Sequence, residues 1–499
     1  MKKWWQKRSR PNKQKEPQSL SALLEDVKNS KDFVHYKISN DHGDVWLSYI
    51  KTLVDTKTLQ LSILPAIQHV KKQSLEDIKG QIPIGHVTVT DDITEIKNKI
   101  LGGHVIVRLN EHSNLCLLIN ALAKSGREIA APEIEFSVLG PKEAFVESID
   151  TNIQLVRKRL PSTRFTVKEM KVGTTSQTRV AVLYVEGIAN TENVNTVLQR
   201  IEDIDFDQIT DSSFITQLIS DNQNSPFPQL IDTERPDRVA AVLGEGKIAI
   251  IVDGGPQVLI GPTNLVEFFS AFEDYFLNWH IATTFRLIRM GSVWFSIFAT
   301  PLYVAILTFH YELIPKDLLS TLVTSRSAIP FPPILEALIL ELAIELLREA
   351  GARLPTKVGQ TIGIVGGIVI GTASVEAGLT SNVLLIIVAL AALASFTTPV
   401  YKMGNTIRLI RFPFLLFAQL WGLLGIMLCF CFLLVHLLRL DSLGRPYLEP
   451  LFPPRVPDLK DTIIRMPFST QSLRPINLQP ESTERFKKKK AKKKKDIDE

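Results

Sequence analysis

The chain has 499 residues, of which 45% are apolar and 22% charged, with a formal net charge of +5. Collagen-like and mainly disordered classes are excluded, and the balance suits soluble subdomains joined to a membrane part. Three cysteines, Cys116 in the first half and Cys429 and Cys431 inside an apolar run, leave neither a disulfide framework nor a four-ligand metal site.

The charge is uneven. Residues 1–16 carry seven Lys/Arg against Glu16, and residues 485–499 carry Arg485 and eight Lys against three acids, so each end contributes +6 and the remainder −7. The run Lys487 to Lys495 is read as lying against anionic lipid, each lysine contributing about 1 kcal/mol near such a surface, or as a solvated tail. Nucleic acid is disfavoured as a partner because no aromatic residues interleave with the lysines and no DNA or RNA module pattern occurs.

In chain order, residues 1–30 read as a disordered basic arm with no apolar signal-peptide core. Residues 31–135 read as a small α/β subdomain: helical periodicity over Asp44–Val54 and Leu59–Val70, a strand ending at Thr90, a helix over Ile93–Ile100 and a strand from His104. Residues 136–285 form a second α/β subdomain. Its expected elements are a strand EIEFSVLG after Pro132, a helix from Ala144 to Arg159, strands from Arg164 and Arg179, and a helix from Glu192 through Ile201. KIAIIVD and QVLIG follow as a hairpin turned at Gly254-Gly255-Pro256. Phe268, Phe269, Phe272 and Phe276 then suggest one apolar helix face lying in a membrane interface ahead of Trp279.

Residues 286–440 read as a helical integral membrane domain of four to five segments. Gly291–His310 holds twenty residues with no Asp, Glu, Lys or Arg, enough to cross roughly 30 Å of hydrocarbon. Gln360–Leu379 and Asn382–Val400 read as a tight hairpin with Glu376 as its one charge, and Phe412–Leu438 is the longest run. Ile334–Leu347 carries Glu336, Glu341 and Glu345. Its nine Leu and Ile gain roughly 0.3–0.6 kcal/mol each on insertion, while each acid costs about 2.5–3.5 kcal/mol, so this helix needs water, partner helices or protonation.

Arg286 and Arg289 place the start of this domain, and with it the soluble half, in the cytoplasm by the positive-inside rule. Lys402, Arg408 and Arg411 do the same for the loop after Val400, yet one crossing from Phe412 would carry the tail, residues 441–499, outside. A cytoplasmic tail follows if the last run enters and returns, or if the acidic segment does not cross.

Enzyme activity finds no support. Gly244-Glu245-Gly246-Lys247 fails as a phosphate loop, since Ala241 occupies the position of its first glycine and Ile248 that of the magnesium-binding Ser or Thr. No metalloprotease, nucleophile-elbow, dinucleotide or calcium motif occurs, and neither metal nor cofactor is expected.

Several long blocks in order do carry a resemblance: SPFPQLIDTERPDRVAAVLGEGKIAIIVDGGPQVLIGP from Ser225, EFFSAFEDYF from Glu267, LGPKEAFVESIDTNIQLVRKRL from Leu139, RVAVLYVEGIAN from Arg179 and PFPPILEALILELAIELLREAGARLP from Pro330. Together they resemble the spore germination receptor A-subunit family over nearly the whole chain beyond the basic arm. One departure is Val138-Leu139 before Gly140-Pro141, where the family usually has an arginine. The resemblance implies an integral protein of the spore inner membrane that acts with a transporter-like B subunit and a C-subunit lipoprotein. It also implies homo-oligomers that supply a cation path triggering germination. A secondary transporter with a regulatory domain and a non-conducting scaffold remain as alternatives.

Candidate residues follow from spacing. Gly359, Gly363, Gly367 and Gly371 recur every four residues, drifting only about 40° per step, and form a stripe for helix packing or for a pore that Ile362, Val365 and Val369 constrict. Glu336, Glu341, Glu345 and Glu376 either attract cations near that pore or pair with Arg348 or Arg353. Glu234, Arg235 and Asp237 sit in a charge-dense turn read as a helix cap with local ion pairs or as a hinge coupling the soluble half to the pore.

Overall fold

A computed structural model describes residues 19–40, 43–68, 74–85, 87–123, 132, 135, 139–354, 366–368, 371–455 and 457–486. The expected strand EIEFSVLG falls mostly outside these residues, as do much of the expected segment Gln360–Leu379 and the whole lysine run.

Part of the expected basic arm is a folded helix. In α1 (Leu20–Lys28) Ser19 caps the N-terminus by accepting from Ala22 N, and Leu20, Leu23, Leu24 and Val27 are all buried. The first sheet comprises β1 (Phe33–Asn40), β2 (Gly43–Ile50), β3 (Val87–Thr90), β4 (His104–Arg108) and β5 (Cys116–Asn120), in the antiparallel order β1-β2-β4-β5-β3. Asp44–Val54 was expected to be helical and is instead mostly β2. Gly43 at φ +123° closes a tight turn in which it faces Asn40, and Trp46 stacks on His35 across the pair. Val105, Val107, Leu117 and Ile119 point to one face and Ile106, Cys116 and Leu118 to the other, the period-two alternation of a strand. The helical stretch 56–68 covers the first face, while α1 and α2 (Ile93–Leu101) cover the second.

The second subdomain contains α3 (Ile149–Arg159), β6 (Phe165–Val172), β7 (Thr178–Val185), α4 (Thr191–Glu202), α5 (Ser212–Ile219), β8 (Ile231–Thr233), α6 (Pro236–Glu245), β9 (Ile248–Val252) and β10 (Val258–Gly261). Its sheet is antiparallel in the order β6-β7-β9-β10-β8, and the expected hairpin is β9–β10. Helices α3 and α6 cover one face and α4 and α5 the other, so every residue of β9 is buried. The expected interfacial helix is two 3-10 turns, Leu265–Phe269 and Phe272–Tyr275, and Phe268 lies in the core of this subdomain.

The helical half consists of α7 (Trp279–Phe309), α8 (Lys316–Arg326), α9 (Pro333–Arg353), helical residues 366–368 and 371–376, α10 (Asn382–Ser395) and α11 (Tyr401–Leu438). Helix α7 is long and apolar enough to cross a membrane, and α11 is so when its two arms are counted as one helix. The fourteen residues of α10 reach only about 21 Å.

Helix α11 is not one rod. Its 38 residues would extend about 57 Å if straight, yet both ends touch the same segment of the second subdomain. Near its start Lys402 pairs with Asp232 and Thr406 donates to Pro226 O; near its end His436 shares a 2.8 Å hydrogen bond with Ser225 and packs on Phe227. The reversal is at Gly422 (φ +62°, ψ −136°), whose missing side chain leaves room for His310 and Phe309 at the end of α7. The last apolar run thus doubles back on itself, which is the shape that the first of the two expected topologies requires.

Residues 441–486, expected as a tail, form a strap across the second subdomain. Tyr447 is fully buried, its hydroxyl donating to Pro228 O (2.7 Å), Leu478 is buried, and Arg474 Nε donates to Gly244 O (2.8 Å).

Gly422→Ala should lower stability by at least about 1–2 kcal/mol, because an L side chain is disfavoured at this φ. Gly404→Ala, inside a regular part of α11 with only ordinary contacts, should be neutral or stabilising. Chemical denaturation of the purified chain in detergent compares them; equal effects would contradict the reversal.

Candidate functional site

Three acids of α9 turn into the helical half, and each meets an arginine. Glu336, fully buried, binds Arg326 (2.9 Å) and accepts from the backbone N–H of Ser381 (3.2 Å). Glu341, 2% exposed, pairs with Arg411 of α11 and accepts from Thr300 of α7 (3.1 Å), while Arg411 Nη2 donates to Ser296 (2.8 Å). Glu345 binds Arg348 (2.6 Å) and lies 3.6 Å from Arg408. Arg353 pairs with Glu349 instead. Because a desolvated charge without its counter-charge is strongly unfavourable, the buried pairs act as ties, Glu336 joining α9 to α8 and Glu341 joining α9 to α7 and α11.

Glu376 is different. It is exposed, and no ion-pair partner for it is found among the described residues. A side chain added at Gly367 would meet open space, whereas one at Gly371 would come within 3.7 Å of Leu385 on α10. Gly359, Ile362, Gly363, Val365 and Val369 lie outside the described residues.

The turn holding Glu234, Arg235 and Asp237 starts α6. Pro236 occupies the first helical position, where its missing N–H costs nothing. Arg235, 1% exposed, binds Asp237 through Nε (3.1 Å) and Nη2 (2.7 Å) and lies over the rings of Phe272 and Phe276. Glu234 O accepts from Phe145 N (2.8 Å), and Arg238 pairs with Glu135 (2.7 Å). The local ion pairs expected of this turn are present, and Arg235 also ties α6 to the turns that lead into α7.

The cluster that sequence reasoning missed is the root of α7. Arg286 contacts Asp274 (3.0 Å) and Asp461 of the strap (3.2 Å), and Arg289 grips the same fully buried Asp274 with two hydrogen bonds of 2.8 and 2.7 Å. Tyr275 donates to Asp461 (2.8 Å), and Arg465 lies over the rings of Tyr275 and Phe468. Burial pushes the Tyr275 hydroxyl well above its ordinary value, and it raises Asp461 and Asp458 despite nearby arginines. The sequence places Asp274 twelve residues before Arg286, a usable signal, but nothing links either to Asp461.

By fold and site this is a two-module protein in which a double-sheet half is clamped to an apolar helical half. Residues 21–477 match the family described as Bacillus/Clostridium GerA spore germination protein. Spore germination protein GerQA of Bacillus cereus is 53% identical over 458 residues, covering 92% of each chain. Spore germination protein A1 of Bacillus subtilis (strain 168) is 37% identical over 454 residues, covering 91% of this chain and 94% of that one. A crystal structure of the N-terminal domain of the A subunit of the Bacillus megaterium spore germinant receptor GerK3 aligns at 30% identity and TM-score 0.38, covering 49% of this chain and 92% of that one. The chain belongs to the GerA family of spore germination proteins.

Two outcomes are expected. Glu341→Ala and Arg411→Ala should each destabilise by about 3–5 kcal/mol, while a Glu341→Leu/Arg411→Met pair should recover most of it; detergent-solubilised melts of all three variants measure this. Carboxyls whose folded pKa is raised stabilise fully below the unfolded value, and that contribution is lost as pH climbs through the raised value. Amide exchange over 458–478, corrected for intrinsic rate, should therefore be slower in mild acid than at neutral pH, with Asp458→Asn shrinking the difference.

Proposed function

We propose that the chain is the A subunit of a nutrient germinant receptor in the spore inner membrane. Its copies assemble around a monovalent-cation path, with a transporter-like B subunit and a C-subunit lipoprotein as partners. The observation that carries the membrane part is the surface of α11, where Leu416, Leu420, Trp421, Leu424, Met427 and Phe432 are each more than half exposed. So continuous an apolar face is untenable in water and natural against lipid. Helix α7 then crosses outward from its clamped root, and the arms of α11, residues 401–421 and 423–438, enter the membrane and return over about 31 and 24 Å. The soluble half and the strap share the cytoplasmic side, and residues 487–495 face anionic lipid there.

The pairing of Glu336, Glu341 and Glu345 within one chain moves the cation path away from α9. In this reading the path is lined from the glycine-rich segment, with Ile362, Val365 and Val369 as its constriction and Glu376 near its mouth. The same pairing favours a second reading, a non-conducting scaffold, because three of the four candidate acids are already neutralised.

Reconstitution separates the two. Proteoliposomes containing the purified chain should pass potassium, Ile362→Ala should raise the leak, and Glu376→Gln should lower flux several-fold. A strictly monomeric chain in native-like lipid, or silent vesicles with correctly inserted protein, would leave only the scaffold. Substrate-coupled uptake would instead restore the transporter alternative.

A further inference from the structure

Beneath the strap lies a cavity of about 790 Å³, walled by α6, by the two 3-10 turns before α7 and by strap residues 450–485. That volume is within the range of small-molecule sites. Its walls mix aromatic rings, among them Phe272, Phe276 and Phe468, with four basic and four acidic side chains.

Most of those charges are matched. Lys247 pairs with Glu267, Arg485 with Glu245 (2.7 Å), Asp461 with Arg286 (3.2 Å) and Arg238 with Glu135 (2.7 Å). Two remain. Arg474 is held by carbonyl oxygens of Gly244 (2.8 Å), Ser482 (3.0 Å) and Glu484 (2.6 Å), and among the described residues no carboxylate reaches it and its Nη2 makes no hydrogen bond. Asp458 accepts from the backbone N–H groups of Ile476 (3.0 Å) and Asn477 (3.1 Å) and has no ion-pair partner among the described residues, since Arg455 is engaged by Glu449 (2.8 Å). The cavity therefore presents one cation and one anion that no opposite charge contacts directly: Arg474 is held by carbonyl oxygens and the Ser482 hydroxyl (3.2 Å), Asp458 by two backbone N–H groups, with Glu245 and Arg455 acting on them only at longer range.

This pattern selects a ligand class. A polyanion or polycation finds no net counter-charge, and a purely apolar molecule would strip water from Arg474 and Asp458 without replacing it. We propose that the cavity binds a small zwitterion with an apolar or aromatic body, its carboxylate on Arg474, its ammonium on Asp458 and its body against the phenylalanine rings. Tyr275 and Asp461 line the same cavity and clamp the root of α7, so an occupied cavity holds the strap against that root. The inference goes beyond the pore reading and does not require it: a chain that conducts nothing could still bind.

Calorimetric titration of the full chain in detergent tests it with three probes that share one ring. L-phenylalanine carries both charges, 3-phenylpropanoate lacks the ammonium and phenethylamine lacks the carboxylate. L-phenylalanine should bind saturably at one site, and each single-charge probe should be weaker by about tenfold or more, roughly 1.4 kcal/mol. Arg474→Gln should abolish binding and Arg474→Lys retain part of it. Ser270→Trp, which fills the cavity from its wall, should abolish it with little change in melting temperature. No saturable binding of L-phenylalanine up to millimolar concentration, equal binding of all three probes, or unchanged binding in both Arg474→Gln and Ser270→Trp would overturn the proposal. Flux through proteoliposomes is a separate readout, so failure here leaves the assignment as a receptor subunit standing.

Discussion

The architecture depends on desolvated arginines bound to carboxylates at the seams between its parts. Among the largest fully buried side chains are Arg157, Arg235, Arg286 and Arg411; Arg157, Arg286 and Arg411 bridge separate elements through a carboxylate, and Arg235, paired locally with Asp237, does so through the rings of Phe272 and Phe276. Arg157 of α3 reaches back to Asp32 (2.7 Å) and Ser30 (3.2 Å) before β1, joining the two soluble subdomains, and lies over the ring of Phe165. Arg235 ties α6 to the turns before α7, Arg286 ties α7 to the strap, and Arg411 ties α11 to α9. A guanidinium remains charged at any relevant pH and presents several donors in a fixed plane, so it specifies geometry where a lysine would only supply charge. Separation at such a seam exposes two matched charges to water, whereas loss of one partner strands the other. The seams therefore favour moving as units over loosening gradually.

Between the charged seams the apolar packing is continuous. One cluster of buried residues runs from Val167, Leu183 and Ile251 of the second sheet, through Phe268 and Tyr447, to Met403, Phe414 and Ile426 of α11. The second subdomain is thus the base on which the helical half stands. A displacement of α6 or of the strap must be absorbed by α7 and α11, because a close-packed core transmits small shifts and does not dissipate them.

How much of this was legible in the sequence depends on the range of the interactions involved. Strands β6, β7, β9 and β10 were readable because alternation and turn chemistry are local. The same method mistook β2 for a helix: Val45, Leu47, Tyr49 and Ile50 fit either period in so short a window, and the deciding facts are Gly43 and the partner strand β1. Strand β5 went unread, since its run of buried residues shows no alternation when both faces are covered. The strap has neither period, being rich in proline and held by contacts to residues some two hundred positions earlier, such as Arg474 to Gly244.

The candidate site divides along the same line. Spacing put Glu336, Glu341 and Glu345 on one helix and an energy argument showed that they could not face lipid, but the partners Arg326 and Arg411 come from other elements and no pattern announces them. The reversal at Gly422 was invisible as a conformation, since glycine is ordinary in an apolar helix. Charge gave only a choice: with basic residues before Phe412 and after Leu438 expected on one side, either the last run turns back or the acidic segment does not cross. The hairpin at Gly422 returns the chain to the segment it left. In doing so it brings Ser225–Asp232, α11 and the strap into one contact region, where the soluble base, the root of α7 and the apolar helices meet. The contacts that join the two halves, Lys402 with Asp232 at one end of α11 and His436 with Ser225 at the other, are concentrated there.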